Sequence, residues 1–134
     1  MPVKPSILSF LIADQVFQAK HSNKWSAVGI FNRINAQNFP CLHPSLGIYI
    51  KLADAEGDYE IKIDFCDSEG RILAVFQGYR LTIKDRLADV DFGIQTQMLP
   101  ISKPGKYIFR LFFNNEFVKD LPLHVVSLKG KEEK

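Results

Sequence analysis

Cys41 and His43 have the residue types and spacing that come nearest to a nucleophile with its general base. Two positions apart on an extended segment, their side chains would lie on the same side of the chain. A nucleophile of this kind also needs a group that orients the base, and no third residue is evident in the sequence. Gly-x-Ser-x-Gly and His-Glu-x-x-His motifs do not occur either. A Cys/His hydrolase is therefore the weakest of three functional hypotheses.

Acidic residues surround Gly57 with only part of the pattern of a calcium-binding loop. Asp54, Glu56 and Asp58 alternate around this glycine. An EF-hand loop has glycine at its sixth position, whereas Gly57 would be at the fourth, so we predict a solvated hairpin turn. The two cysteines and three histidines lack the close paired spacing of a zinc site. We therefore expect neither a metal nor another cofactor.

A set of polar and aromatic residues borders the longest irregular stretch, 35–45. In this stretch, prolines at 40 and 44 favour extended backbone in the residues before them. The polar side chains either hydrogen-bond this loop or line a surface for a small ligand, a carbohydrate or a peptide, and both readings stay open. The candidate binding residues are Asp14, Asn32, Arg33, Asn35, Phe39 and His43.

The overall charge and the apolar runs limit the partners and the compartment. Lys plus Arg is 17 and Asp plus Glu is 15, so the net charge of +2 gives no strong attraction to nucleic acid or anionic lipid. The apolar run at 7–13 is too short for a signal peptide, and no run approaches the length of a membrane span. Two cysteines so far apart are expected to be free thiols in a reducing cytoplasm. We expect a cytoplasmic protein without nucleic-acid or membrane partners.

The elements that must position these residues show a period of two. Tyr59, Ile61, Ile63 and Phe65 alternate with polar residues, as in a strand with one buried face. Turn signals recur between such runs, among them 67–70, 104–105 and 114–115. A short helical turn is predicted at 84–88. The predicted strands are 7–17, 24–34, 46–53, 59–66, 71–83, 88–98, 106–113 and 117–127.

This rhythm predicts one all-β domain over 1–128, with a charged, disordered tail over 129–134. We predict an antiparallel, immunoglobulin-like β-sandwich of seven to nine strands. Gly29 within an apolar strand indicates a bulge or a close backbone approach, and the Trp25 ring is expected to cover one end of the core. The predicted core residues are Leu8, Phe10, Ile12, Val28, Ile30, Ile48, Ile50, Ile61, Ile63, Phe65, Phe109, Leu111 and Leu123.

Several sequence blocks together carry a more specific resemblance. They include 13–16, Val28-Gly29-Ile30-Phe31 with the residues to 36, Phe39-Pro40, and the Pro-Gly-x-Tyr hairpin at 104–107. Across nearly the whole chain, this pattern resembles a family of small bacterial proteins of unknown function that are predicted to be immunoglobulin-like β-sandwiches. Relatives often have Asp where this chain has Asn32, which weakens a metal or acid/base role there. The resemblance implies no catalytic residues.

The leading functional hypothesis is a non-enzymatic binding or assembly module. A compact sandwich without a convergent set of ionisable residues still has open sheet edges. Such an edge can pair with a strand of a partner protein or of a second copy. The second hypothesis is a small-ligand site, for carbohydrate or peptide, at the 35–45 loop.

Overall fold

The computed structural model describes residues 3–128, which form β-strands joined by turns. The period-two pattern of the sequence is realised in nine strands. They are β1 (Ser6–Gln18), β2 (Trp25–Phe31), β3 (Arg33–Ala36), β4 (Cys41–Ala53), β5 (Gly57–Cys66), β6 (Ile72–Ile83), β7 (Val90–Ile101), β8 (Gly105–Phe113) and β9 (Glu116–Ser127).

The strands form two sheets, so the prediction of an all-β fold is confirmed. The first sheet has the order β2-β1-β4-β7 and is antiparallel throughout. The second has the order β3-β9-β8-β5-β6 and curls into a half-barrel. Its β3–β9 pair is parallel, so the prediction of a purely antiparallel fold is wrong at this one edge. The chain reaches that edge because it passes directly from β2 in one sheet to β3 in the other.

One apolar core joins the two sheets, and ten of the thirteen predicted core residues belong to it. The predictions for Leu8, Val28 and Ile30 are wrong, because their side chains are 52%, 51% and 62% exposed. A bulge between Ile7 and Ser9 shifts the register of β1, and Ile7 packs against the core in place of Leu8. Val28 and Ile30 lie on an edge strand, which among residues 3–128 pairs with β1 alone.

The predicted strand 24–34 is interrupted at Asn32, where the chain changes sheets. Gly29 has φ of +73°, and a Cβ atom there would lie 2.4 Å from Oδ2 of Asp14. The predicted close approach at Gly29 is therefore confirmed, and it brings a carboxylate onto the backbone of the neighbouring strand.

The predicted long loop 35–45 is mostly ordered strand, so that prediction is wrong. β4 begins at Cys41, and His43 pairs with Leu99 of β7. Only 37–40 connects β3 to β4, and it contains a cis Phe39–Pro40 peptide bond. Pairing with β1 stops at Gly47, so within the described part of the chain the start of β4 has β7 as its only strand neighbour. Such an edge position tolerates Pro44, which has no N–H to donate.

Trp25 does not cover an end of the core, and that prediction is wrong too. The residues of β4 and β7 alternate, so that Ile48 and Ile94 face the core while Gly47 and Gly93 face away from it. A Cβ at Gly93 would lie 2.4 Å from Val16 and 2.6 Å from the Trp25 ring. The hairpin of β1 and β2 therefore folds over the outer face of its own sheet.

The predicted turns at 67–70 and 114–115 are confirmed by their backbone. Gly70 has φ of +85°, and its N–H donates to the Asp67 carbonyl at 3.1 Å. Asn114 and Asn115 have φ of 52° and 65°. At 84–88 there is a single turn, closed by Ala88 N–H to the Asp85 carbonyl at 3.1 Å, and no helix. The predicted tail, 129–134, lies outside the described residues.

Candidate functional site

The change of sheets at Asn32 places Arg33 between two surface depressions. β3 is the edge strand of the second sheet, with Ile34 buried and Arg33 and Asn35 exposed on its other side. Polar side chains from the first sheet reach one side of this strand, and side chains from β8 and β9 reach the other. We refer to these as the crossover depression and the basic depression.

The crossover depression has a volume of about 390 Å³ and brings together four of the six predicted site residues. They come from β1, β3 and β4, so no single segment of the sequence contains the group. The other lining residues belong mainly to β2. The full lining is Asp14, Gly29, Ile30, Phe31, Arg33, Ile34, Asn35 and His43.

Asp14 is held by its backbone, while its side chain remains exposed. Its carbonyl accepts hydrogen bonds from Ser45 Oγ and Gln95 Nε2, both at 3.1 Å. Gln95 Nε2 also donates to Ser45 Oγ at 2.8 Å, and Gln95 Oε1 accepts from Val16 N–H at 2.9 Å. These bonds fix the point at which β1 leaves β4, and the carboxylate lies over Gly29.

His43 lines the same depression and is partly buried. Its ring lies 5.7 Å from the Phe31 ring, centroid to centroid, in a tilted arrangement. Burial lowers the pKa of His43, although the Asp14 charge and a hydrogen bond with the Ser45 backbone act in the opposite direction. The imidazole is therefore neutral at pH 7 and offers one donor and one acceptor.

Cys41 lines a different hollow from His43. That hollow has a volume of about 530 Å³ and an apolar lining that includes Leu42, Leu73 and Ile101. Among residues 3–128, no hydrogen bond joins the Cys41 thiol to the His43 ring. The geometry therefore gives the hydrolase hypothesis no support. The crossover depression instead combines a carboxylate, a guanidinium, an amide and an imidazole, which suits recognition by hydrogen bonds.

The two remaining predicted site residues lie elsewhere. Phe39 is partly buried against the core and lines neither depression. Asn32 lines the basic depression, and its carbonyl accepts a hydrogen bond from His124 N–H at 2.9 Å.

The basic depression contains two residues that the sequence did not suggest, Lys106 and His124. Its volume is about 530 Å³, and it is also lined by Asn32, Arg33 and Gly105. His124 pairs with Arg33 across the parallel β3–β9 ladder and with Lys106 across β8–β9. Only this register unites the three residues, and no local motif in the sequence could have indicated it.

The part of the chain that the structure describes lacks two other features, a cluster of metal-binding side chains and a membrane-spanning helix. It contains no group of three or more His, Cys, Asp and Glu side chains placed to hold a metal ion. It also has no helix with the length and apolar character needed to cross a bilayer.

Comparisons with known proteins give one family and a set of distant structural likenesses, of which three follow. An alkylpurine DNA glycosylase, AlkC from Pseudomonas fluorescens, solved bound to DNA containing an abasic site analog, is 12% identical with a TM-score of 0.49, over 88% of this chain and 30% of that chain. A β-glucosidase from Listeria innocua, with gluconolactone, is 11% identical with a TM-score of 0.49, over 89% of this chain and 16% of that chain. The complex of a β-glucosidase from Listeria innocua with isofagomine is 12% identical with a TM-score of 0.49, over 92% of this chain and 17% of that chain.

This chain thus spans less than a third of each of those proteins. No curated protein matches its sequence. The profile of a family of unknown function, DUF6941, matches residues 8–126. The chain therefore belongs to the DUF6941 family.

Proposed function

We propose that this protein is a non-enzymatic binding module that recognises an extended peptide segment of a partner protein at the crossover depression. The observation that carries the proposal is the convergence of Asp14, Arg33, Asn35 and His43 on one depression. Together they present charges of both signs and neutral donors and acceptors. A peptide offers matching groups along its backbone and side chains.

The neighbouring edge of β2 favours a peptide over a carbohydrate. Within residues 3–128, β2 pairs with β1 alone, so its other side has backbone groups free to pair with an added strand. Val28 and Ile30 are exposed on this strand, and Ile30 also lines the depression. A strand added to this edge would gain main-chain hydrogen bonds, while its side chains would reach the depression.

Selection from a library of random linear peptides tests this proposal. We expect enriched peptides to bind the wild-type chain, and Asp14→Asn and His43→Ala each to weaken binding about tenfold, or about 1.4 kcal/mol. Arg86→Ala is the matched control, because Arg86 is exposed in the turn beyond β6. Peptides that bind equally well to all three variants, or no enrichment at all, would contradict the proposal.

A second candidate is self-association along the free edge of the second sheet. β6 forms that edge and exposes Ile72, Val75 and Tyr79, which are 57%, 44% and 38% exposed. Exposed apolar edge strands are sites of strand pairing between molecules. Sedimentation at micromolar concentration tests this candidate: we expect a dimer that Val75→Lys dissociates, and a wild-type monomer would contradict it.

We also propose an immunoglobulin-type sandwich and a location in the bacterial cytoplasm. The sandwich type is supported by two facing sheets and by the chain's passage from β2 in one sheet to β3 in the other. The reducing compartment is supported by Cys41 and Cys66, which are both free thiols.

A further inference from the structure

Arg33, His124 and Lys106 form a row across three neighbouring strands of the second sheet. His124 is in register with Arg33 on β3 and with Lys106 on β8. Residues in register have side chains on the same face of a sheet. Their chain neighbours Ile34 and Val125 are buried, so the row faces outward, and all three side chains are exposed.

Within the described residues, no carboxylate pairs with the positive charges of this row. Among residues 3–128, neither Arg33 nor Lys106 has an acidic oxygen within 4.0 Å, whereas Lys62, Arg71 and Arg80 each form an ion pair. Asp14 lines the other depression beside Arg33 but forms no ion pair with it within that distance. Two permanent cations and an imidazole thus share one concave surface.

The spacing of the three strands allows their side chains to reach one position. Neighbouring strands lie about 4.8 Å apart, so the Arg33 and Lys106 backbones are about 10 Å apart with His124 between them. Both outer side chains are long enough to converge on a group above the imidazole. Asn32 adds a further polar residue to the lining of the basic depression, and the volume of about 530 Å³ admits a small molecule.

We infer that this row binds the phosphate group of a small phosphorylated molecule. A phosphate carries about −1.5 to −2 charge at pH 7, which complements two permanent positive charges. An Arg fork binds two of its oxygens, while Lys and a His N–H can each donate to another. The site shares Arg33 with the crossover depression and is otherwise separate, so it does not depend on the proposed peptide binding.

Titrations of inorganic phosphate and of phenyl phosphate, at constant ionic strength, test the inference. Backbone amide resonances should show saturable shifts at residues 32–33, 105–106 and 124–126, with a dissociation constant in the millimolar range. The ester should bind more tightly than inorganic phosphate if the ligand is a phosphorylated molecule. The reverse order would identify free phosphate as the source.

Lys106→Gln and Lys119→Gln form a matched pair, because each removes one positive charge from an exposed position. We expect Lys106→Gln to weaken phosphate binding about two- to fivefold, as for one exposed charge contact, and Lys119→Gln to leave it unchanged. Asp14→Asn should weaken peptide binding but not phosphate binding, because Asp14 lines only the crossover depression. This variant therefore distinguishes failure of the peptide proposal from failure of the phosphate inference. Equal losses in the two lysine variants, equal binding of sulfate, or no saturable shift would overturn the inference.

Discussion

Single residues on the outer face of the first sheet carry polar contacts that the strand pattern does not reveal. The Tyr49 hydroxyl donates to Asp91 Oδ2 at 2.6 Å across the β4–β7 pair. Burial, this hydrogen bond and the Asp91 charge together raise the pKa of Tyr49 to about 12. All three effects disfavour a phenolate beside a carboxylate in a partly buried place.

This pKa predicts how stability changes at alkaline pH. The folded-state pKa of Tyr49 is raised above the ordinary value of 10. The stabilisation that the neutral Tyr49 hydroxyl gives to the folded state is therefore fully present below pH 10 and is lost as pH rises towards 12. We expect one tyrosine of the wild type to ionise near pH 12 in an absorbance titration. Asp91→Asn should bring that ionisation to lower pH, and Tyr49→Phe should remove it. An unchanged titration curve in Asp91→Asn would contradict the assignment.

At the scale of elements, the β5–β6 hairpin is closed by one buried carboxylate. Asp67 accepts hydrogen bonds from the backbone N–H groups of Glu69 at 2.9 Å and Arg71 at 3.0 Å, and from Arg71 Nε at 3.0 Å. Desolvation acts to raise the pKa of Asp67, but these hydrogen bonds and the Arg71 charge outweigh it, and the pKa is lowered. The turn therefore depends on the ionised form.

We predict that Asp67→Asn destabilises the protein at neutral pH. Because the folded-state pKa is lowered, the stabilisation is present above the unfolded pKa near 3.8 and is lost as pH falls through the folded value. Thermal unfolding of the wild type and the variant should therefore differ at pH 7 and converge in acid. Glu116→Gln removes an exposed carboxylate that has no ion-pair partner within residues 3–128, so it serves as the control. A difference that stayed constant with pH would exclude this mechanism.

The elements also show how far the sequence could predict the fold and the site. Alternation of large apolar and polar residues identified the strands and most of the core, since that period is a local property. The bulge after Ile7 and the break at Asn32 leave no local signal in the sequence, so alternation alone places Leu8 in the core and makes 24–34 one strand. Arg33 and Asn35, which follow that break, line the crossover depression together with His43. Lys106 and His124 join Arg33 through a register that is set only by the packed sheets.

At the scale of the whole molecule, the β1–β2 hairpin adds a third layer over part of the first sheet. Val16 is buried although it lies on the outer face, because Gly47 and Gly93 leave room for it. A Cβ at Gly47 would lie 2.6 Å from Val16 Cγ2, 2.7 Å from Gln95 Oε1 and 2.8 Å from the Val16 backbone nitrogen. The backbone atom cannot rotate away, so the space above Gly47 is closed to a side chain.

Gly47→Ala should therefore destabilise the fold by about 1–3 kcal/mol, the usual cost of overpacking. Urea unfolding measures this change in free energy, and Ser26→Ala, at an exposed position of β2, should leave it within about 0.5 kcal/mol. A Gly47→Ala protein as stable as the wild type would show that the hairpin does not press on the sheet.

The third layer also contains a residue whose intrinsic fluorescence reports on its attachment to the sheet. Its single tryptophan, Trp25, rests on Gly93 and begins the strand that carries Gly29 and Phe31 to the crossover depression. Lifting of the hairpin would expose the indole to water and shift its emission to longer wavelength. Detachment of this layer can therefore be followed by fluorescence without any added label, separately from melting of the sandwich beneath it.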